Sequence, residues 1–235
     1  MQTNLILRPI YLLILLFNTV FIATGCSQKI SNVKDTVELA IYGTPDITKS
    51  RYEIAQLPYA STYAKIGEHS QIFMVLALAE PALGNKSKSS VTQLKWLSSD
   101  NGMIITEEGR IVKTVNLPDG NLVNTYSDQP DPLSLGLQLS STPTHWQRAI
   151  DWQPGYHSGY TLNSVFTYQK PETLYVNGKY HATLKFIETV QVKELNTSYF
   201  NVFWIEQTTG NVVKSRQIIA PSLPSIELTP LKPFA

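Results

Sequence analysis

Cysteine is nearly missing from this chain. One residue in 235, Cys26, carries a thiol, so no disulfide can form within the chain. Charge is sparse, at 16% of residues, with a formal net charge of +1. Removing residues 1–25 takes away Arg8 and leaves 18 basic against 18 acidic side chains, which excludes a nucleic-acid partner held by bulk electrostatics. The four histidines, at 69, 145, 157 and 181, lie too far apart in sequence for local metal-ligand spacing. The sequence therefore implies no metal and no cofactor. G-x-S-x-G, H-E-x-x-H, the P-loop and the Gly-rich phosphate fingerprint are all absent. The chain has one long uncharged apolar run, Ile10 to Ala23, and it is shorter than the roughly 20 residues a membrane-spanning helix needs.

That run supplies the first positive signal. Arg8 gives a weakly positive start, Leu12 to Ile22 an apolar middle, and Thr24-Gly25 the small residues a peptidase requires before Cys26. Residues 1–25 are expected to be a lipoprotein signal peptide, with Cys26 lipidated and residues 26–34 a tether. Such signals usually carry Leu or Val three residues before the cysteine, and here Ala23 stands there. Ser27, where Asp would resemble an inner-membrane retention signal, favours outer-membrane anchoring. Several acyl chains make such attachment durable, at about 0.8 kcal/mol per buried methylene. The body, residues 35–235, is then expected to face the periplasm.

With 12 Tyr, 8 Phe and 4 Trp the chain is rich in strand-forming aromatics. Helices are expected at Val33–Tyr42 and at Asp46–Gln56, the second capped by Thr44 or Asp46 and ended by Pro58. Gln71–Glu80 is a candidate buried strand and 84–90 a loop. Thr92–Ser98, Met103–Thr106 and Ile111–Val115, separated by Asp100-Asn101-Gly102 and Glu107-Glu108-Gly109, form a meander pattern. Thr173–Val176 and Lys179–Val192 flank Asn177-Gly178, the dipeptide suited to a type I′ hairpin. On the long strand Leu184, Phe186, Val190 and Val192 share one face, and Phe200, Val202 and Trp204 are expected to repeat it before Val212–Ile219.

The stretch Ile104–Thr114 echoes Ile205–Ser215, aligning Gly109 with Gly210 and Lys113 with Lys214. Any two Gly-turn hairpins resemble each other; a duplication would instead give two related lobes, about 57–118 and 144–221. Residues 117–143, with four prolines, are expected to be a long connection, and the proline-rich carboxyl end an extended strap. The fold class is mainly β: an antiparallel sandwich or barrel-like pair of β lobes with one or two N-terminal helices.

Candidate chemistry concentrates between Thr144 and Tyr160. Trp146, Arg148, Asp151, Trp152, Tyr156 and Tyr160 offer aromatic faces beside hydrogen-bonding groups, which suits the apolar face and hydroxyl rim of a pyranose. This is a candidate glycan-binding platform. The alternative makes Trp146 and Trp152 core anchors, with Arg148 paired to Asp151. Asp100, Asp119, Asp128, Asp131 and Asp151 could in principle supply paired carboxylates for glycoside cleavage, but most sit in turn contexts. No catalytic residue is assigned.

Three segments carry a family resemblance: Arg51-Tyr52-Glu53-Ile54-Ala55-Gln56-Leu57-Pro58-Tyr59-Ala60-Ser61, Gln93-Leu94-Lys95-Trp96-Leu97 and Ile150-Asp151-Trp152-Gln153-Pro154-Gly155-Tyr156. They are similar to those of the YjbF-type (GfcB-like) family, the group 4 capsule polysaccharide lipoproteins. The resemblance implies a mostly β outer-membrane lipoprotein, encoded among capsule or exopolysaccharide genes and acting in polymer secretion or assembly. It brings no catalytic residues. The expected partners are the outer membrane through the lipid, an exopolysaccharide, and outer-membrane or periplasmic secretion proteins. Two rivals are a scaffold docking on an outer-membrane barrel protein and a polysaccharide-modifying enzyme.

Overall fold

The computed structural model describes residues 45–82 and 91–234. The expected signal peptide (1–25), Cys26, the tether, the Val33–Tyr42 helix and the 84–90 loop lie outside them. The described residues from 46 onward form one compact unit. No helix among the described residues is long and apolar enough to cross a membrane.

The chain opens with a short helix, α1 (Arg51–Gln56). It starts later than expected, and its cap is Ser50, not Thr44 or Asp46. Ser50 Oγ accepts from the Glu53 amide while the Glu53 carboxylate accepts from the Ser50 amide, so two helix-start donors are satisfied reciprocally. Asp46 is otherwise engaged, accepting from the Gln71 amide at 2.6 Å.

Twelve strands follow: β1 (Ser61–Ile66), β2 (Ile72–Pro81), β3 (Thr92–Leu97), β4 (Met103–Glu107), β5 (Arg110–Val115), β6 (Asn121–Tyr126), β7 (His145–Gln153), β8 (His157–Val176), β9 (Lys179–Val192), β10 (Thr197–Glu206), β11 (Val212–Ile218) and β12 (Ser225–Lys232). They make one antiparallel sheet in the order β5-β4-β3-β2-β1-β12-β11-β10-β9-β8-β7-β6, nearly closed into a barrel. The mainly β, antiparallel, barrel-like expectation is met. The ranges 57–118 and 144–221 contribute to one continuous sheet, joined through β12 between β1 and β11.

The first and last strands of this meander pair with each other, so its seam falls between β5 and β6, which are consecutive in the chain. These two lie side by side without a backbone ladder. At the turn end a side chain bridges the gap: Thr114 Oγ1 accepts from the Leu122 amide at 2.9 Å, and Asn121 Oδ1 accepts from the Leu117 amide at 3.1 Å. Thr114→Val removes the acceptor for a buried N–H and is expected to cost about 1–3 kcal/mol. Faster amide hydrogen exchange at Leu122 than in the native chain would report it.

Three expectations change. Asn121–Tyr126 is a strand within the presumed connection, leaving 127–144 as the loop that places Leu133 and Leu137 against the core. The carboxyl end is a central strand, not a strap. Pro230 is tolerated in it because β11 pairs only as far as Leu228, and the β1 register shifts at Ser61/Thr62 opposite this stretch. On β10 the buried face is Tyr199, Asn201, Phe203 and Ile205, with Phe200 exposed and Val202 and Trp204 half-buried. The face inverts because Asn201 has an interior task, described below.

The internal echo survives on one strand of each hairpin. Val112 and Val213 are both bulged, each skipped in the pairing with the preceding strand. The preceding strands do not correspond, since Lys113 pairs with Ile105 whereas Lys214 pairs with Trp204.

Candidate functional site

Side chains alternate across a strand, so β7 sends Trp146, Arg148, Ile150 and Trp152 inward and Asp151 outward. Arg148 and Asp151 are an odd number of residues apart and cannot meet. The expected Arg148–Asp151 pair is replaced by Arg148–Glu188, with Nη1 to Oε1 at 2.9 Å. Asp151 instead accepts from Ser158 Oγ at 2.8 Å and the Gly159 amide at 2.7 Å.

The six residues of the expected platform therefore divide. Trp146, Arg148 and Trp152 are buried in the interior. Tyr160 is half-buried, its ring edge-on to Trp152 at 4.6 Å, and His157 stacks on Trp152 at 4.2 Å. Tyr156 is fully exposed and Asp151 half-buried on the outer face. The structure joins Trp152 with Tyr160 and Trp146 with Arg148, and does not unite the six on one open surface.

Arg148 belongs to a polar layer through the interior. On four consecutive strands a polar residue separates two apolar clusters: Arg148 lies between Trp146 and Ile150, Ser164 between Phe166 and Leu162, Glu188 between Phe186 and Val190, and Asn201 between Phe203 and Tyr199. Glu188, wholly buried, accepts from Arg110 Nη1 at 2.6 Å, Arg148 Nη1 at 2.9 Å and Asn201 Nδ2 at 2.8 Å. Arg110 also grips Asp131 through Nε at 2.7 Å and Nη2 at 3.3 Å. Its guanidinium lies 4.9 Å from the Trp146 ring centre and 5.0 Å from that of Phe203, which adds cation–π attraction to the ion pairs.

Two guanidiniums thus face two carboxylates, and the layer is neutral. Burial alone would raise the Glu188 pKa, but Arg110 and then Arg148 outweigh it and hold the carboxyl at about 2. For Arg110, burial would favour the neutral form, but Asp131 and Glu188 push its pKa above the usual arginine value. The hydroxyl of Tyr199 is pushed up to about 12, chiefly by burial.

Beside the unladdered β5–β6 seam, a polar cleft of about 310 Å³ adjoins this layer. Gln93, Glu107, Lys113, Asn124, Tyr126 and Gln129 line it, and Asp131 and Trp146 also contribute, which ties it to the ionic cluster. Burial raises the Glu107 pKa, opposed by a hydrogen bond from Gln93 at 2.8 Å and supported by the nearby Asp131 and Glu108 charges. The Thr125 hydroxyl, also in the lining, is buried without a hydrogen-bond partner among the described residues.

Sequence reasoning missed Arg110, Glu188 and the cleft. Glu188 left a trace, as the one charged position on the apolar face between Phe186 and Val190, and a charge there is rarely buried unless paired. Arg110 left none. The candidate carboxylates do not converge: Asp100 accepts from Ser98, Asp119 lies 2.9 Å from His69, and Asp131 and Asp151 are engaged as described. Among the described residues, no group of three or more His, Cys, Asp or Glu side chains is placed to hold a metal ion.

These features define the class: an up-and-down antiparallel sheet nearly closed into a barrel, with a polar opening at its seam. The family model described as group 4 capsule polysaccharide lipoprotein gfcB, YjbF matches residues 34–231, and the chain belongs to that family. Lipoprotein GfcB of Escherichia coli K12 is 33% identical over 97% of this chain and 99% of its own length. Lipoprotein YjbF of the same organism is 26% identical over 96% and 97%. The crystal structure of the hypothetical lipoprotein YmcC from Escherichia coli K12 is similar with a TM-score of 0.68 and 31% identity, covering 86% of this chain and 96% of that one.

Proposed function

We propose that the protein is an outer-membrane lipoprotein, anchored through Cys26 and facing the periplasm, that serves capsule or exopolysaccharide production by binding the polymer during its secretion. The family match over residues 34–231 is the observation that carries this reading. The signal-like segment ending at Cys26 supports the anchor. The seam cleft supports a binding role, because amide, hydroxyl, ammonium and carboxyl groups lie together on its walls. No step of chemistry is assigned to it; the role is that of an accessory factor.

The test is calorimetry of the mature protein in detergent, titrated with the exopolysaccharide of its own host and with an unrelated glycan. Saturable heat with the first and none with the second is expected. Absence of heat with both would move the role to a protein partner of the secretion apparatus.

A further inference from the structure

The β5–β6 seam is where the barrel leaves its backbone unpaired. Neighbours in chain order pair everywhere else along the meander, and β1 pairs with β12, so the opening is confined to one place. Beyond the Thr114–Leu122 bridge no backbone ladder joins the strands, and the cleft of about 310 Å³ is at the lower end of small-ligand site volumes.

Its chemistry is selective. Asp131 contributes to the lining, but Arg110 already neutralises its carboxylate through two hydrogen bonds. What remains on the walls are the Lys113 ammonium, the Glu107 carboxyl held by the Gln93 amide at 2.8 Å, side-chain amides at Asn124 and Gln129, the unpartnered Thr125 hydroxyl and the Tyr126 phenol, which is hydrogen-bonded to Asp151. Amides and hydroxyls both donate and accept, and so does every hydroxyl of a sugar. Tyr126 is 45% exposed and presents a ring against which a pyranose C–H face can lie. Asn124 stands opposite Asp151 in the β6–β7 ladder, so the outward acid of the expected platform flanks this cleft. An apolar ligand would leave the wall groups unpaired at a cost.

We propose that the seam cleft is a saccharide subsite, holding a hydroxyl-rich pyranose unit of the exported polymer between the β5 and β6 edges. The inference rests on the polymer-binding reading and names its site. Asn124 and Tyr126 are the specificity-determining contacts, and the opening along the seam lets the polymer continue on either side of the bound unit.

The test repeats the calorimetric titration with host exopolysaccharide using the double variant Asn124→Ala/Tyr126→Ala and, separately, Asn124→Trp, which fills the cleft. Both sites are exposed, and thermal melting checks that each variant folds. The double variant is expected to bind about tenfold more weakly or worse, having lost a ring face and an amide contact. The Trp variant is expected to abolish binding, with native melting in both. Wild-type binding retained by both folded variants would overturn the subsite while leaving the polymer-binding reading intact. No binding by the wild-type protein would overturn both. Tighter binding of an extended peptide than of the polymer, lost in Asn124→Trp, would reassign the seam to strand addition.

Discussion

Glu188→Ala is expected to destabilise the protein by about 3–5 kcal/mol, because it removes the carboxylate that pairs with the Arg148 guanidinium in the interior and leaves Arg110 with Asp131 alone. For a body of this size that is a melting temperature lower by roughly 10 °C. The pH dependence has a fixed sign. The folded-state Glu188 pKa is depressed from 4.5 to about 2, so its contribution is present above the unfolded value and lost as pH falls through that interval. The native protein should weaken between about pH 4.5 and 2, and Glu188→Gln should flatten that part of the curve while lowering stability at neutral pH. The combined replacement Arg110→Met/Asp131→Asn/Arg148→Met/Glu188→Leu should be much less harmful than Glu188→Ala alone, since both cations and both carboxylates of the layer are removed together and no buried charge is then left unpaired. Denaturant melts of the variants measure this. A Glu188→Ala protein as stable as the native one would show that the polar layer is not held together as described.

Trp152→Ala is expected to cost about 3–5 kcal/mol, the loss usual for a large aromatic removed from a core. The indole is 3% exposed, stacks on the His157 ring and meets Tyr160 edge-on within the larger apolar cluster. Tyr156→Ala is the contrasting case, since that side chain is fully exposed and its removal should leave the melting temperature unchanged. If Trp152 were instead an open sugar platform, its replacement would abolish glycan binding at native stability. Thermal melts of the two variants beside their polymer titrations decide between the two roles.

The β content, the meander of β3 to β5 and the Asn177-Gly178 hairpin were legible from the chain because turn residues and period-2 alternation act locally. Both turn positions of that hairpin have positive φ, as the dipeptide suggests. The inverted face of β10 was not legible. A strand placing Phe200, Val202 and Trp204 inward and Asn201 outward obeys hydrophobicity, but Asn201 is needed inside to donate to Glu188 and to accept from the Ile218 amide. Trp204 is stabilised near the outer surface by Lys185 and Lys214, whose ammonium groups lie 5.1 and 5.7 Å from its ring centre. Interior polar layers defeat sequence reading for this reason: partners lie on different strands, and Arg110 and Glu188 are 78 residues apart.

The candidate site was hidden by the same cause. Asn121–Tyr126 sits between Asp119-Gly120 and a proline-rich stretch, with alternation blurred by a bulge at Val123, so it read as part of a connection. Without β6 there is no seam, and without the seam no cleft. What the aromatic cluster around Trp146 to Tyr160 signalled correctly was density of interaction. Most of it serves the core, where Trp146 and Trp152 pack on either side of the polar layer.

The proposed accessory role in polysaccharide secretion is read in cells from the amount of polymer at the surface. That amount should be compared between the host, a strain lacking the protein, and that strain supplied with the native chain or with Asn124→Trp. The expected result is a fall in surface polymer on deletion, restored by the native chain and not by the cleft-filling variant. Unchanged surface polymer in the deletion strain, with polymer synthesis confirmed, would contradict that role.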